Sequence, residues 1–595
     1  MKEFIAPGEV AIDPAENITT QLWTNEKTLP DHAIAAFRVG DGPFRDVTYA
    51  EFASQVRRVA AGLLALGLEK GDRVCIFSPT RYEFTVLDYA IWTAGMATVT
   101  IYETSSAEQV EWIVGDSGAK AIICASDDLK KVFLEKAGEL GTCEHVFSLD
   151  SGGLEALIES GANVSDDQVM DRARSVTPND LATLVYTSGT TGRPKGCVLT
   201  VDNFVWICRQ VESVTEAVIN PGASTLMFLP LAHIFARVVQ VASINEGAKI
   251  NYSNGVPVLL EELQMVRPTW MFSVPRVFEK IYNGASQKAH ADGKGKIFDT
   301  AARTAIEFSE QSQRGKVGLK TKVLHGIFDK LVYTKLRDVF GGRCEYAISG
   351  GAALGARLGH FYSGIGVNIL EGYGLTETSA GSTVNRPDAT SIGSVGLPIP
   401  GVGIRIADDG EVLIKGRHIF GGYWNNTEAT SEVIRDGWFH SGDIGELDDN
   451  GFLRITGRKK EIIVTAGGKN VAPAVLEDRL RAHPLISQAM VVGDNQPFIA
   501  TLVTIDPDEF PRWASEHDKM GTLSDLIDDE DLKAAVQEAV DDANKAVSKA
   551  EAIKAFRILP EDFTIEGGEL TPTLKVKRRV VADLYGSVID EIYAN

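Results

Sequence analysis

The stretch "YTSGTTGRPKG", Tyr186 to Gly196, crowds hydroxyls, glycines and two cations into eleven residues. Gly189 and Gly192 let backbone N–H groups converge on an anion. Thr187, Ser188, Thr190 and Thr191 add hydroxyl donors, and Lys195 adds charge. The chemistry this suits is the gripping of phosphate. A Walker A loop is excluded, because that motif needs G-x-x-x-x-G-K-[ST] running straight into a helix. Here the two glycines are closer together, Pro194 precedes the lysine and Gly196 follows it. The next residues, "CVLT", read as extended before a helix begins near Val201.

The elements that must position this loop are strands and helices in alternation. "LATLVY" before it is a buried-strand pattern, as are "DRVCIFSP", "ATVTIY" and "AKAIICAS" upstream. Helical patterns from Thr48 to Gly67, Tyr82 to about Met96 and Ser106 to Ile113 separate them, the first opened by a Thr48/Glu51 capping box. This spacing predicts α/β architecture with parallel sheet layers covered on both faces. "GASTLMFLPLAHIF", "PTWMFSVP" and "CEYAISGG" repeat a strand ending in small or polar residues, where ligands collect in open α/β sheets. A polar helical insertion is expected from about Phe278 to Asp338. From Ile392 onward short strands and turns take over, with a hairpin at "IRIADDGEVLIKG". The last ~135 residues read as a separate, smaller α+β domain, and the acidic run "DDEDLKAAVQEAVDDANK" as its solvated face.

Composition bounds the function. A net charge of −22 over 595 residues argues against general nucleic-acid binding, while leaving room for a local basic pocket. Six scattered cysteines without a CxxC pair fit neither a zinc site nor a disulfide framework, and suit a reducing compartment. No apolar run reaches the ~18 residues of a transmembrane helix. A cytoplasmic protein is expected, with peripheral attachment at the inner face of a membrane left open.

The loop resembles the phosphate loop of the adenylate-forming superfamily, and four further stretches match that superfamily in order. They are "LPLAHIFAR" with His233, "ISGGAALG", "EGYGLTET" around Glu377, and "DGWFHSGDIGELDDNGFLRITGRKKEIIV". "YETSS", "SVPRVFEKIY", the insertion after it, "GGKNVAPAVLE" and "GELTPTLKVKRR" resemble the long-chain fatty-acid–CoA ligase branch. The resemblance implies a large N-terminal domain over 1–459 with a small β-barrel-like part, and a mobile C-terminal domain over 460–595 hinged near Lys460. It implies ATP-dependent activation of a fatty acid to an acyl-adenylate with release of pyrophosphate, then transfer to coenzyme A with release of AMP.

Site roles follow from the same resemblance. Thr187 to Lys195 would clasp the β- and γ-phosphates. Glu377, with Thr187, would hold Mg²⁺, a hard cation suited to oxygen ligands. Thr376 would reach the α-phosphate, and Gly351, Ala352, Glu371, Gly372, Tyr373 and Gly374 would border the nucleotide. Asp443 suits the ribose hydroxyls, and Arg458 can bridge ribose and phosphate. A lone strand-end histidine is more often a structural hydrogen-bonder; the resemblance places His233 near the substrate carboxylate. Gly467 and Gly468 would meet the pantetheine arm after the domain swings. The wider superfamily carries a Gly-Lys dipeptide where this chain has Pro572-Thr573, so alignment alone puts Thr573 at the adenylation lysine. Lys575 is the choice here, with Lys577 next. Chain length, oligomeric state and a different carboxylate or a carrier-protein acceptor stay open.

Overall fold

The structure is a computed structural model and describes residues 1–136, 143–187, 193–467, 469–571 and 574–594. Six strands between residues 73 and 200 form one sheet in the order His145–Ser148, Ala121–Cys124, Arg73–Phe77, Ala97–Ile101, Leu181–Thr187, Lys195–Thr200. All pairs are parallel except the last. Side chains alternate between two cores: Val74 and Ile76 face one, Cys75 and Phe77 the other. That two-sided burial is why these strands read as unbroken apolar runs. The antiparallel last pair also explains the loop: the chain leaves Thr187 and returns as a strand at Lys195, its register partner.

A second layer pairs Trp270–Ser273, Tyr346–Ser349 and Asn368–Tyr373 in parallel, then adds Thr383–Val384 and Leu397–Pro398 antiparallel. A four-stranded sheet orders Ser224–Met227, Lys249–Tyr252, Ala33–Phe37 and Arg45–Thr48. The Tyr49–Ala65 helix starts on the expected capping box, with Glu51 N–H donating to Thr48 Oγ1 at 3.2 Å and Thr48 N–H to Glu51 Oε2 at 3.0 Å. Such a cap contributes about 1 kcal/mol. The expected insertion is helical, over Pro275–Ala291, Gly295–Gln313, Leu319–Phe328 and Thr334–Val339. It packs Phe298, Ala301 and Ala305 against Leu358, Phe361 and Tyr362.

A curled antiparallel sheet follows, built on Gly403–Ile406, Glu411–Lys415, Trp438–Leu447 and Leu453–Arg458. Its hairpin turns at Gly410, φ +86°. Beyond Glu461 the chain forms a three-stranded sheet of Ile486–Val492, Ile499–Ile505 and Ile553–Ile558 with its own apolar core. The acidic Glu530–Asn544 helix buries Leu532, Val536, Ala539, Val540 and Ala543 there and leaves its acids exposed. This C-terminal part is held against the rest by Arg276, which donates to Ser487 Oγ at 2.8 Å, and by Arg357, which donates to the Ala482 carbonyl at 3.3 Å.

The Ile234–Glu246 helix is fixed by a buried charge pair. Arg237, with no exposed surface, meets Asp88 through Nε at 3.0 Å and Nη2 at 2.7 Å, and donates to Thr183 Oγ1 at 2.7 Å. Burial raises the Asp88 pKa and Arg237 opposes that rise. Removing one partner of such a pair strands a charge, whereas replacing both with apolar groups is often close to neutral. Arg237→Met should therefore cost ~3–5 kcal/mol, read as a lower denaturant midpoint, and adding Asp88→Leu should restore most of it. Equal midpoints for Arg237→Met and the parent would show that the pair does not hold the helix.

Candidate active site

One cleft of about 3160 Å³ lies between the sheet layers and the C-terminal part. That exceeds the roughly 300–1,000 Å³ of a pocket for one small ligand. Every expected site residue that the structure describes borders it, except Gly467. Ser188, Gly189, Thr190, Thr191, Gly192 and Gly468, like Pro572 and Thr573, lie outside the described residues.

The stems of the phosphate loop are braced from two sides. Tyr186 donates to Asp116 at 2.6 Å and Trp112 Nε1 to the Pro194 carbonyl at 2.9 Å, both partners lying on the Ala107–Ser117 helix. On the other side the Trp424 N–H donates to the Gly196 carbonyl at 2.7 Å. That contact sets Tyr423 between two expected site residues. Lys195 Nζ lies 5.1 Å from the Tyr423 ring centroid, and the Tyr423 hydroxyl donates to Glu377 Oε1 at 2.7 Å. Burial, then Glu377, raises the Tyr423 pKa, so the phenol stays a neutral donor.

Glu377 projects from a tight turn that requires a glycine three residues before it. A Cβ on Gly374 would sit 1.7 Å from the Ala380 carbonyl oxygen, so no other residue fits there. The Leu375 N–H donates to Thr378 Oγ1 at 2.8 Å, and Ser379 and Ala380 adopt left-handed φ values of 49° and 83°. Such conformations cost of order 1–3 kcal/mol each and persist where surrounding packing imposes them.

Asp443 and Arg458 are register partners on neighbouring antiparallel strands. Arg458 Nε meets Asp443 Oδ1 at 2.9 Å, and the Tyr373 hydroxyl donates to Oδ2 at 2.6 Å. Each carboxylate oxygen keeps a lone pair for one further donor, which matches a pair of neighbouring hydroxyls. Lys459, next in the chain, is pinned by Asp409 at 2.6 Å and Glu411 at 3.0 Å. Glu411 also accepts from the Gly442 N–H at 3.0 Å, so the same anchor supports the backbone beside Asp443.

His233 proves both structural and site-facing. It caps the Ile234–Glu246 helix, Nδ1 accepting from the Phe235 N–H at 3.2 Å. Burial, then Lys575, pushes its pKa down to about 4, so the ring is neutral with its proton on Nε2. Lys575 enters the cleft opposite. The residue as a whole keeps exposed surface, while its ammonium end sits in the cleft lining among protein atoms that displace part of its water. This burial, then Arg458, lowers its pKa to about 8, with Asp443 and Glu461 opposing. A Cβ on Gly351, φ +86°, would lie 3.9 Å from Lys575 Cε. Leu574, φ 60°, turns the chain so that Lys575 points inward. Lys577 begins the Arg578–Leu584 helix, and Arg578 is spent on Glu477 and the Val491 carbonyl. Glu371 is pushed up to about 7 by burial, with Asp478 of the C-terminal part adding to the shift. Gly467 is exposed and outside the cleft.

Sequence reasoning missed Tyr423, Asp116, Trp112 and the Glu411 anchor. "GGYW" had offered a signal, since an aromatic pair after two glycines between strands invites close backbone approach.

Residues 22–424 match the AMP-binding enzyme family, and residues 460–595 match the AMP-binding enzyme C-terminal domain. The chain belongs to the AMP-binding enzyme family. It is 49% identical to the long-chain-fatty-acid–CoA ligase FadD15 of Mycobacterium bovis, with 100% of both chains covered. It is 32% identical to the long-chain-fatty-acid–CoA ligase ACSBG2 of Xenopus laevis, covering 100% of this chain and 86% of the relative. The adenylation domain of a carboxylate reductase from Mycobacterium chelonae superposes with TM-score 0.76 at 21% identity, covering 98% of this chain and 92% of that one, and shows the shared fold.

In this AMP-binding enzyme the cleft also extends into apolar space. Val211, Thr215 and Ile219 line it from one side and Val238, Val239 and Ala242 from another. The polar end holds the lysine with the unusual proton affinity. Amine-directed labelling of Lys575 should therefore rise through pH ~8, because the neutral amine is the reactive form and Lys normally titrates near 10.4. Arg458→Met should move that midpoint upward. A midpoint near that of exposed lysines would place the ammonium in water.

Proposed function

We propose that this enzyme acts as a long-chain-fatty-acid–CoA ligase through the residues that meet in the cleft, in two half-reactions. In the first, a fatty-acid carboxylate oxygen attacks the α-phosphorus of ATP and the bond to pyrophosphate breaks. Two unit charges of like sign 4 Å apart repel by about 4 kcal/mol at an effective dielectric constant of 20. Catalysis is then mostly alignment and charge cancellation. Thr187 and Lys195 hold the departing pyrophosphate end. Asp443 takes the ribose hydroxyls, with Arg458 beside it, and Gly351, Ala352, Glu371, Gly372, Tyr373 and Gly374 border the adenine side. Neutral His233 offers Nε2–H to the incoming carboxylate, and Thr376 lies at the α-phosphate. Lys575 brings the mobile cation.

Mg²⁺ fits the residues present. Tyr423 occupies one oxygen of Glu377, leaving the other for a hard cation, and Thr187 borders the same cleft. Mg²⁺ favours one or two carboxylates and completes its shell with phosphate oxygens and water. When bound it supplies neutralisation of phosphate charge.

In the second half-reaction the coenzyme A sulfur attacks the acyl carbonyl carbon. The carbon–oxygen bond to AMP breaks, AMP leaves with the electron pair, and the thiol proton passes to solvent. Lys575 must leave to admit the thiol. On this reading the chain divides at 1–459 and 460–595 with the hinge at Lys460, and what supports it is that Lys459 is tied to Asp409 and Glu411, so that rotation would begin just after it. It carries Lys575 out and the Gly467 loop in.

The observation that carries this reading is Lys575 placed between His233, Gly351 and the Asp443–Arg458 pair. Lys575→Ala should lower fatty-acid-dependent ATP–pyrophosphate exchange by ~100-fold or more, while thioester formation from supplied acyl-adenylate survives. Gly467→Val should do the reverse, since nothing lies nearer than 3.9 Å to a Cβ there and the fold tolerates it. Exchange should also decline as pH rises through about 8, where Lys575 loses its proton. Survival of both half-reactions in Lys575→Ala would overturn the assignment, and an ADP product would overturn the reaction.

A further inference from the structure

The helical insertion carries an apolar stripe that stands exposed among the described residues. On the Leu319–Phe328 helix, Leu319 is 79% exposed, Val323 56% and Ile327 48%, and Leu331 follows at 56%. The spacing of four puts these side chains on one face. The opposite face holds Thr321, Leu324, His325 and Phe328 against the protein. A stripe of this size is an exception on a soluble surface.

Its charge is the second observation. Between Arg314 and Arg337 the chain has seven basic residues and one acid, Asp329, in a protein of net charge −22. Asp329 is already neutralised by Arg337 at 2.7 Å. Lys316, Lys320, Lys322, Lys330 and Lys335 are exposed around the stripe. An apolar face bordered by lysines is the pattern of a helix that lies in a membrane interface, stem buried and ammonium at the headgroups. A symmetric contact between two copies through this stripe would instead set lysine against lysine.

A third observation concerns the cleft. Val39, 82% exposed, and Val256, 64% exposed, line its rim. Leu260 and Met265, 55% and 45% exposed, continue along the Leu259–Val266 helix. That helix packs on Thr334–Val339, the segment that continues the striped helix: Gln264 Nε2 donates to the Val339 carbonyl at 3.1 Å. Apolar rim and basic stripe thus belong to neighbouring elements.

We propose that the Leu319–Leu331 stripe and its lysines dock this enzyme on an anionic lipid surface, presenting the Val39–Val256 rim to it. The ligand chemistry is a bilayer of phosphate-bearing anionic lipid, and the docked enzyme takes its fatty acid from that bilayer rather than from water. Membrane docking goes beyond the ligase reaction, and its test does not depend on that reaction.

Co-sedimentation with phosphatidylglycerol–phosphatidylcholine vesicles tests it. Binding should be strong at low salt, weak on pure phosphatidylcholine, and lost at high salt as screening removes the lysine contribution. Lys320→Glu/Lys322→Glu/Lys330→Glu should weaken binding by about 100-fold or more. Leu319→Ser/Val323→Ser/Ile327→Ser should also reduce it, and leave ATP–pyrophosphate exchange with dispersed fatty acid unchanged. Equal binding by parent and both triple variants would overturn the proposal. So would loss of a dimer in the serine variant, by sedimentation velocity, with vesicle binding intact, because the stripe would then be a subunit interface.

Discussion

Repulsion between a carboxylate and a triphosphate is the constraint on which the rest of this structure depends. The chain is strongly acidic overall, so on the proposed reading the cations that offset that repulsion have to be concentrated in the cleft. Lys195 arrives at the start of a strand, Arg458 at the end of another, and Lys575 from a separate folding unit. Each is held near a counter-group that fixes its position: the face of Tyr423, the carboxylate of Asp443, the backbone turn at Leu574. The cleft is thus a place where charge is held at fixed points before any substrate arrives.

Tyr423 deserves particular weight among these supports. It touches the lysine of the phosphate loop with its ring and the Glu377 carboxylate with its hydroxyl. Two motifs separated by nearly two hundred residues of chain are thereby set at one spacing by a side chain from a third. A similar economy operates at Glu411, which fixes both Lys459 and the backbone next to Asp443. Positioning of this kind tunes chemistry without touching substrate.

Much of the architecture was legible because the relevant signals are local. Strands buried on two faces produce apolar runs, capping boxes mark helix starts, and Asp-Asp-Gly marks a hairpin. The departure from a Walker A loop is also a matter of local spacing, and the antiparallel return of Lys195–Thr200 supplies its structural reason. What the sequence withheld is relational. Nothing in "GGYW" states that its tyrosine will meet Glu377, since that contact needs the Gly196 carbonyl to pair with Trp424 first. The depression of the Lys575 pKa likewise depends on burial by a unit that folds elsewhere. Nor does His233 reveal from its neighbours in the chain that one ring nitrogen is already spent on a helix cap.

Gly467 and Lys575 belong to one compact C-terminal body, one outside the cleft and one within. A rigid carrier with two working ends cannot present both at once. The arrangement is an interlock: occupancy of the cleft by one tool is the exclusion of the other. On the reading proposed above, the two half-reactions are thereby kept apart in time, because one body cannot serve both at once.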